Sequence, residues 1–174
     1  MLGSLIIYST TDGHTKTICE RIKNYFKNTK FTKIVPLEDV TKLNLSEFDK
    51  IIIGASIRYG KHNKRILQFV RKNKNILDLK KTAFFSVNVV ARKIEKSTAE
   101  TNPYVIKFLN KTNWKPNKVD VFAGKVDYPN YNFINKIIIK FIMIITNGPT
   151  DTKNSYEFTN WHRVERFAEE LENL

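Results

Sequence analysis

Ser4-Leu5-Ile6-Ile7-Tyr8 is a short apolar run that breaks at once into Ser9-Thr10-Thr11-Asp12-Gly13-His14-Thr15, after which an amphipathic segment begins. A run this short and continuous reads as a strand covered on both faces, and such strands belong to parallel sheets with helices on either side. The polar segment then falls at the start of a helix, where backbone N–H groups lack intrahelical partners and the helix dipole is positive. Hydroxyls and one Gly at that place make a cradle for an anion that needs no lysine. No Gly-Lys-Ser/Thr ends the segment, which excludes a Walker loop, and a single Gly excludes the dinucleotide fingerprint.

The alternation of strand and helix continues along the chain. Ile18, Cys19, Ile22 and Phe26 recur at helical spacing and predict a helix over 14–28 with Cys19 in the core. Further strands are expected at 31–35, 51–53 (ending at Gly54), 82–88 and 119–123, and further helices at 63–73, 103–111 and from Asn160, whose side chain can cap it, to the C-terminus. At 174 residues one domain over 1–174 is expected. Strands and helices at this spacing predict an α/β fold, a doubly wound five-stranded parallel sheet in the flavodoxin-like order 2-1-3-4-5. Ligands of such sheets lie beyond the carboxyl ends of the strands at the switch point, so 9–15, 56–60 and 86–92 should converge. A hydroxyl cradle without lysine in that position suits the phosphate of FMN.

Residues 125–159, between the fifth strand and the last helix, are too long for an ordinary connection. They contain Tyr128-Pro129-Asn130-Tyr131 and then 133–145, thirteen strongly apolar residues with Lys136 and Lys140 four apart. Thirteen is too few to span a bilayer. As a helix the segment predicts an interfacial anchor that faces a membrane or a partner, with its lysines toward anionic headgroups; a buried connecting helix or an extra strand is the alternative.

The charge supports the anchor. Thirty basic against seventeen acidic residues leave +13. From Arg58 to Lys81 nine Lys or Arg face one acid, Asp78, and from Arg92 to Lys118 seven face Glu95 and Glu100. Such fields draw polyanions, anionic lipid or a carboxylate-bearing substrate, although a solvated face is the plainer reading. A nucleic-acid module would need aromatics exposed among the lysines, and here they fall mostly at strand or core positions, so no specific nucleic acid is expected. One cysteine permits no internal disulfide. The chain enters its first strand with no basic segment and cleavable apolar stretch ahead of it, which predicts a cytoplasmic protein, peripheral at the inner face of the cell membrane. His62 and His162 lack ligand-spaced partners, so no metal is expected.

STTDGHT (9–15), GASIRYG (54–60) and SVNVVARKIEKSTAETNPY (86–104) together resemble the flavodoxin-type protoporphyrinogen oxidases, the menaquinone-dependent protoporphyrinogen IX dehydrogenases. The resemblance extends through Trp114-Lys115-Pro116, Ala123-Gly124, Tyr128-Pro129-x-Tyr131, Thr150-Asp151-Thr152 and the Thr159-x-Trp161 pair. It implies an FMN oxidoreductase of haem biosynthesis that oxidises protoporphyrinogen IX to protoporphyrin IX and passes electrons to menaquinone or another membrane quinone. By the same resemblance Ser9, Thr10, Thr11, Asp12, Gly13, His14 and Thr15 hold the FMN phosphate, and Ser56, Ile57, Arg58, Tyr59 and Gly60 with Ser86, Val87 and Asn88 flank the isoalloxazine ring. Tyr59 offers a face for stacking, or else only shields the loop. Asp12 beside a phosphate is repulsive and is expected to cap the helix or order the turn; His14 pairs with the phosphate or faces solvent. Arg58, Arg92 or Lys93 could pair with the substrate's propionates. No catalytic acid or base stands out, in keeping with chemistry carried by a cofactor.

Two other activities share these residues: an electron-shuttling flavodoxin without a substrate, and an FMN-dependent quinone reductase. Shuttling flavodoxins are typically acidic, so +13 is the wrong sign for the first.

Overall fold

The computed structural model describes residues 3–27 and 31–174. Strand β1 (Gly3–Ser9) leads into helix α1 (His14–Tyr25), and β2 (Thr32–Pro36) follows. Strand β3 (Phe48–Arg58) returns through β4 (Lys61–His62) to α2 (Lys64–Lys72) and the single turn α3 (Lys74–Leu77). Then come β5 (Lys81–Val87), α4 (Pro103–Thr112) and β6 (Lys118–Phe122). The insertion supplies β7 (Lys125–Asp127), α5 (Phe133–Ile145) and β8 (Ser155–Glu157) ahead of the last helix, α6 (Trp161–Glu172).

The sheet order is β2-β1-β3-β5-β6 with every neighbour parallel. Counted over the five parallel strands this is the expected 2-1-3-4-5. Alternation within the strands splits the core in two, because successive side chains leave opposite faces. Leu5, Ile7, Ile51, Ile53 and Phe84 pack toward α2 and α4, and Ile6, Ile52, Ala83 and Phe85 toward α1 and α6. Cys19 is fully buried in the second cluster, and burial pushes its thiol up, so it is an inert core side chain. The first helix, expected to reach Asn28, ends at Tyr25; Asn28 lies outside the described residues.

The main departure is the third strand. Expected to end at Gly54, it runs to Arg58, so most of GASIRYG is strand rather than loop. Beyond Ser56 it leaves β5 and pairs with β4, Ile57 opposite His62 and Arg58 opposite Lys61. The connection is two residues, Tyr59 at φ 49° and Gly60 at φ 75°. Positive φ at both central positions matches the right-handed strand twist and closes a tight hairpin. A Cβ at Gly60 would meet nothing within 4 Å, so its cost there is backbone strain alone. Gly60→Ala should therefore lower stability by about 1 kcal/mol, read as a lower urea midpoint at unchanged slope.

The insertion folds on itself. β7 and β8 pair antiparallel, and Val126, Tyr128, Tyr131 and Met143 form a third cluster with Ile139, Tyr156 and Phe158 against it. Asn132 caps α5 by accepting from Asn135 N at 2.8 Å. The segment 133–145 is thus a helix and not an extra strand, and most of its apolar surface faces outward: Phe133, Ile134, Phe141 and Ile145 are each more than 60% exposed. Among the described residues no helix is long and apolar enough to cross a membrane.

Candidate functional site

The three loops expected to converge do so. Thr10, Thr11, Asp12, His14 and Thr15 line a cleft at the carboxyl end of the sheet with Ser56, Ile57, Val87 and Asn88. Val89, within the expected 86–92, lines it too, and Gly124 and Lys125 complete it; these last two were not anticipated, although Gly124 stands beside the expected fifth strand. Ser9 is buried at the end of β1, Ser86 is buried in β5 outside the lining, and Arg58, Tyr59 and Gly60 stand on the hairpin, also outside it.

The first loop is built to receive negative charge. Gly13 takes the cap position of α1 at φ 85°, with no side-chain cap among the described residues and no acidic residue in the first turn. Thr10 Oγ1 accepts from Gly13 N at 3.1 Å and shapes the turn. The Thr15 hydroxyl is buried and has no hydrogen-bond partner among the described residues. A buried polar atom left unpaired costs about 1–3 kcal/mol, so a hydroxyl kept in that state beside uncapped helix N–H groups fits a phosphate acceptor.

Asp12 does not cap the helix. Arg58 Nη1 donates to its Oδ2 at 2.8 Å, and the Tyr131 hydroxyl donates to the same oxygen at 3.3 Å. The Arg58 guanidinium also lies 5.1 Å over both the Tyr59 and the Tyr131 rings. The Tyr59 hydroxyl donates to Asn135 Oδ1 at the start of α5. One cationic hub thus ties the first loop, the hairpin and the insertion together. The repulsion between a carboxylate and a phosphate is met by giving the carboxylate its own arginine.

His14 points to the insertion. The Thr159 hydroxyl donates to Ala123 O at 2.8 Å and therefore receives the His14 Nε2–H at 2.6 Å. Trp161 packs edge-on at 5.9 Å, and burial holds His14 below its ordinary pKa, so the ring is neutral at pH 7. Arg92 is likewise committed, donating to Val89 O at 3.0 Å and to Thr146 O at 2.6 Å. It fastens the third loop to the end of α5 and does not face the rim. Lys93, half-buried, remains beside it. Among the described residues no group of three His, Cys, Asp or Glu could hold a metal ion.

A family model for a flavodoxin domain matches residues 5–153. A protein of Leishmania major named protoporphyrinogen IX dehydrogenase [quinone] is 42% identical over 172 residues, covering 98% of this chain and 74% of the relative. Its namesake in Escherichia coli K12 is 37% identical over 174 residues, covering 99% of this chain and 96% of the relative. This chain belongs to the protoporphyrinogen IX dehydrogenase family of flavodoxin-domain proteins. Among solved structures, oxidised flavodoxin 1 from Bacillus cereus matches with a TM-score of 0.54 at 15% identity over 97% of this chain and 96% of its own. An archaeal flavodoxin gives 0.53 at 15% identity over 98% and 96%. These two establish the fold.

In this member of the family one histidine has a measurable consequence for stability. His62 is buried, and desolvation lowers its pKa from 6.5 to about 3. The unfolded chain binds a proton near pH 6.5 that the folded protein refuses until about pH 3. Stability is therefore complete above pH 6.5 and falls as pH drops toward 3, by up to about 1.4 kcal/mol per pH unit. Urea midpoints from pH 7 to pH 4 should show this slope, and His62→Phe should flatten it.

Proposed function

We propose that this chain binds FMN in the cleft and oxidises protoporphyrinogen IX, handing the electrons to a quinone at an anionic membrane surface. The observation that carries the reading is where identity lies. Flavodoxins of the same fold share 15% with this chain, whereas the named dehydrogenases share 37–42% over 98–99% of it, insertion included. A generic electron shuttle needs neither the insertion nor a net charge of +13.

Thr10, Thr15 and the N–H groups opening α1 hold the phosphate, with Ser9, Thr11 and Gly13 shaping the turn. Ser56, Ile57 and the Arg58-Tyr59-Gly60 hairpin lie along one side of the ring, and Ser86, Val87 and Asn88 along the other. The flavin, when bound, supplies the acceptor for hydrogen removed from the porphyrinogen. The protein's part is to orient the ring, keep water from one face of it and hold the substrate's carboxylates; with Arg92 and Arg58 already bonded within the protein, Lys93 is the cation of the three left for that task. The exposed face of α5, with Lys136 and Lys140, rests at the lipid interface where a quinone resides.

The test is turnover. FMN-loaded protein given protoporphyrinogen IX and a menaquinone analogue should produce fluorescent protoporphyrin IX faster than the quinone alone does. Quinone reduction by nicotinamide nucleotides with no porphyrin formed would favour the reductase reading and overturn this one.

A further inference from the structure

His62 sits on β4, the return strand of the hairpin that carries Arg58 and Tyr59, and only 6% of it is exposed. Its ring packs edge-on against Phe84 at 5.8 Å and Phe108 at 5.1 Å. Across the gap to β5, His62 Nε2 stands 3.0 Å from Ser86 Oγ. Asn88 Nδ2 donates to the same hydroxyl at 3.2 Å, and Asn88 Oδ1 accepts from Ala91 N at 3.1 Å and from Asn102 Nδ2 at 3.2 Å. Asn102 in turn donates to Lys96 O at 2.8 Å and caps α4. A buried polar chain therefore runs from the hairpin through the base of the third loop to the next helix.

The direction of the bonds follows from proton counting. A hydroxyl can accept twice, so the bond from Asn88 leaves the direction to the imidazole tautomer; since the Ser86 proton has no other acceptor among the described residues' hydrogen bonds, donation to His62 Nε2 is the arrangement that uses it. The position of the pair matters as much. The parallel ladder between β3 and β5 ends at Ser56 and Val87, and beyond it β3 turns away to pair with β4. Past that point the spacing of the two loop walls is no longer set by backbone pairing. The His62–Ser86 bond spans this break from behind the cleft.

We propose that His62 is a positioning residue: its hydrogen bond to Ser86 fixes the separation of the hairpin and the third loop, and so the affinity and spectrum of the flavin held between them. The proposal rests on the FMN reading above, and His62 itself touches no reacting atom.

The experiment is an FMN titration, followed by flavin fluorescence and visible absorption, of the wild type, His62→Phe, His62→Gln, Ser86→Ala and the double variant His62→Phe/Ser86→Ala. Phe keeps the packing against Phe84 and Phe108 and removes the acceptor; the amide of Gln can place an acceptor where Nε2 lies. His62→Phe should bind FMN about tenfold more weakly, which corresponds to one buried hydrogen bond, with a shifted bound-flavin spectrum and unchanged far-ultraviolet circular dichroism. His62→Gln should recover most of the loss, and the double variant should be no worse than either single one. If His62→Phe is too unstable to purify, Ser86→Ala carries the test and should show the same weakening and spectral shift. Wild-type affinity and spectrum in His62→Phe, with only the melting temperature lowered, would overturn the proposal, as would losses that multiply in the double variant. A wild type that does not bind FMN would instead bring down the cofactor reading and this inference with it.

Discussion

Thr15→Val raises the melting temperature of the FMN-free protein and weakens FMN binding by at least tenfold. The two effects have one cause and opposite signs. The Thr15 hydroxyl is buried without a partner among the described residues, so the folded apoprotein carries a polar group stripped of water. Replacing it by a methyl of similar size removes that penalty, about 1–3 kcal/mol, and shifts the melting temperature upward by several degrees. The same hydroxyl is a donor waiting for a charged acceptor, and a charge-assisted bond is about twice as strong as a neutral one. Differential scanning calorimetry without FMN and fluorescence titration with it check both halves. A variant less stable than the wild type and equal to it in affinity would mean that the hydroxyl has another partner and no role at the phosphate.

Phe133→Ser/Ile137→Ser/Phe141→Ser/Ile144→Ser abolishes binding to anionic vesicles and leaves the fold intact. All four side chains are exposed, between 53% and 77%, so little buried area is lost on substitution. Met143 and Ile139, which hold α5 to the body, are untouched. In a membrane each apolar side chain contributes about 1.5–3 kcal/mol when it leaves water, and Lys136 and Lys140 add about 1 kcal/mol each near anionic headgroups. Losing four anchors should weaken partitioning more than a hundredfold, measured by co-sedimentation with vesicles containing phosphatidylglycerol. Unchanged sedimentation would remove the membrane from the account and leave the apolar face to a protein partner.

The parallel sheet and the loop that opens it were legible because their signals are local: apolar runs, a cap, a cradle of hydroxyls. For 133–145 the same local signals left a surface helix, a buried helix and an extra strand open, because isoleucines serve all three; the structure forms a helix with most of its apolar side chains exposed. The extension of β3 to Arg58 was not legible. Gly54 and Ser56 read as loop residues, yet both continue the parallel ladder with β5, and the pairing of Ile57 and Arg58 with His62 and Lys61 carries the strand on to the Tyr59-Gly60 turn. The roles of Asp12, His14 and Arg92 were hidden too, because their partners Tyr131, Thr159 and Thr146 lie more than fifty residues away in the insertion. Asp12, expected to cap the helix or order the turn, His14, expected at the phosphate or in solvent, and Arg92, offered to the substrate, each bond to the insertion. At its two ends α5 itself meets the hairpin, through Tyr59 and Asn135, and the third loop, through Arg92 and Thr146.

On the proposed function, electrons enter this protein from a porphyrinogen and leave to a quinone. An anaerobic half-reaction tests it most directly. FMN-loaded protein mixed with protoporphyrinogen IX should lose its flavin absorbance as protoporphyrin IX appears, and a menaquinone analogue added afterwards should restore it. Flavin that stays yellow with the porphyrinogen, yet bleaches when a partner reductase is supplied, would contradict the account and identify an electron shuttle.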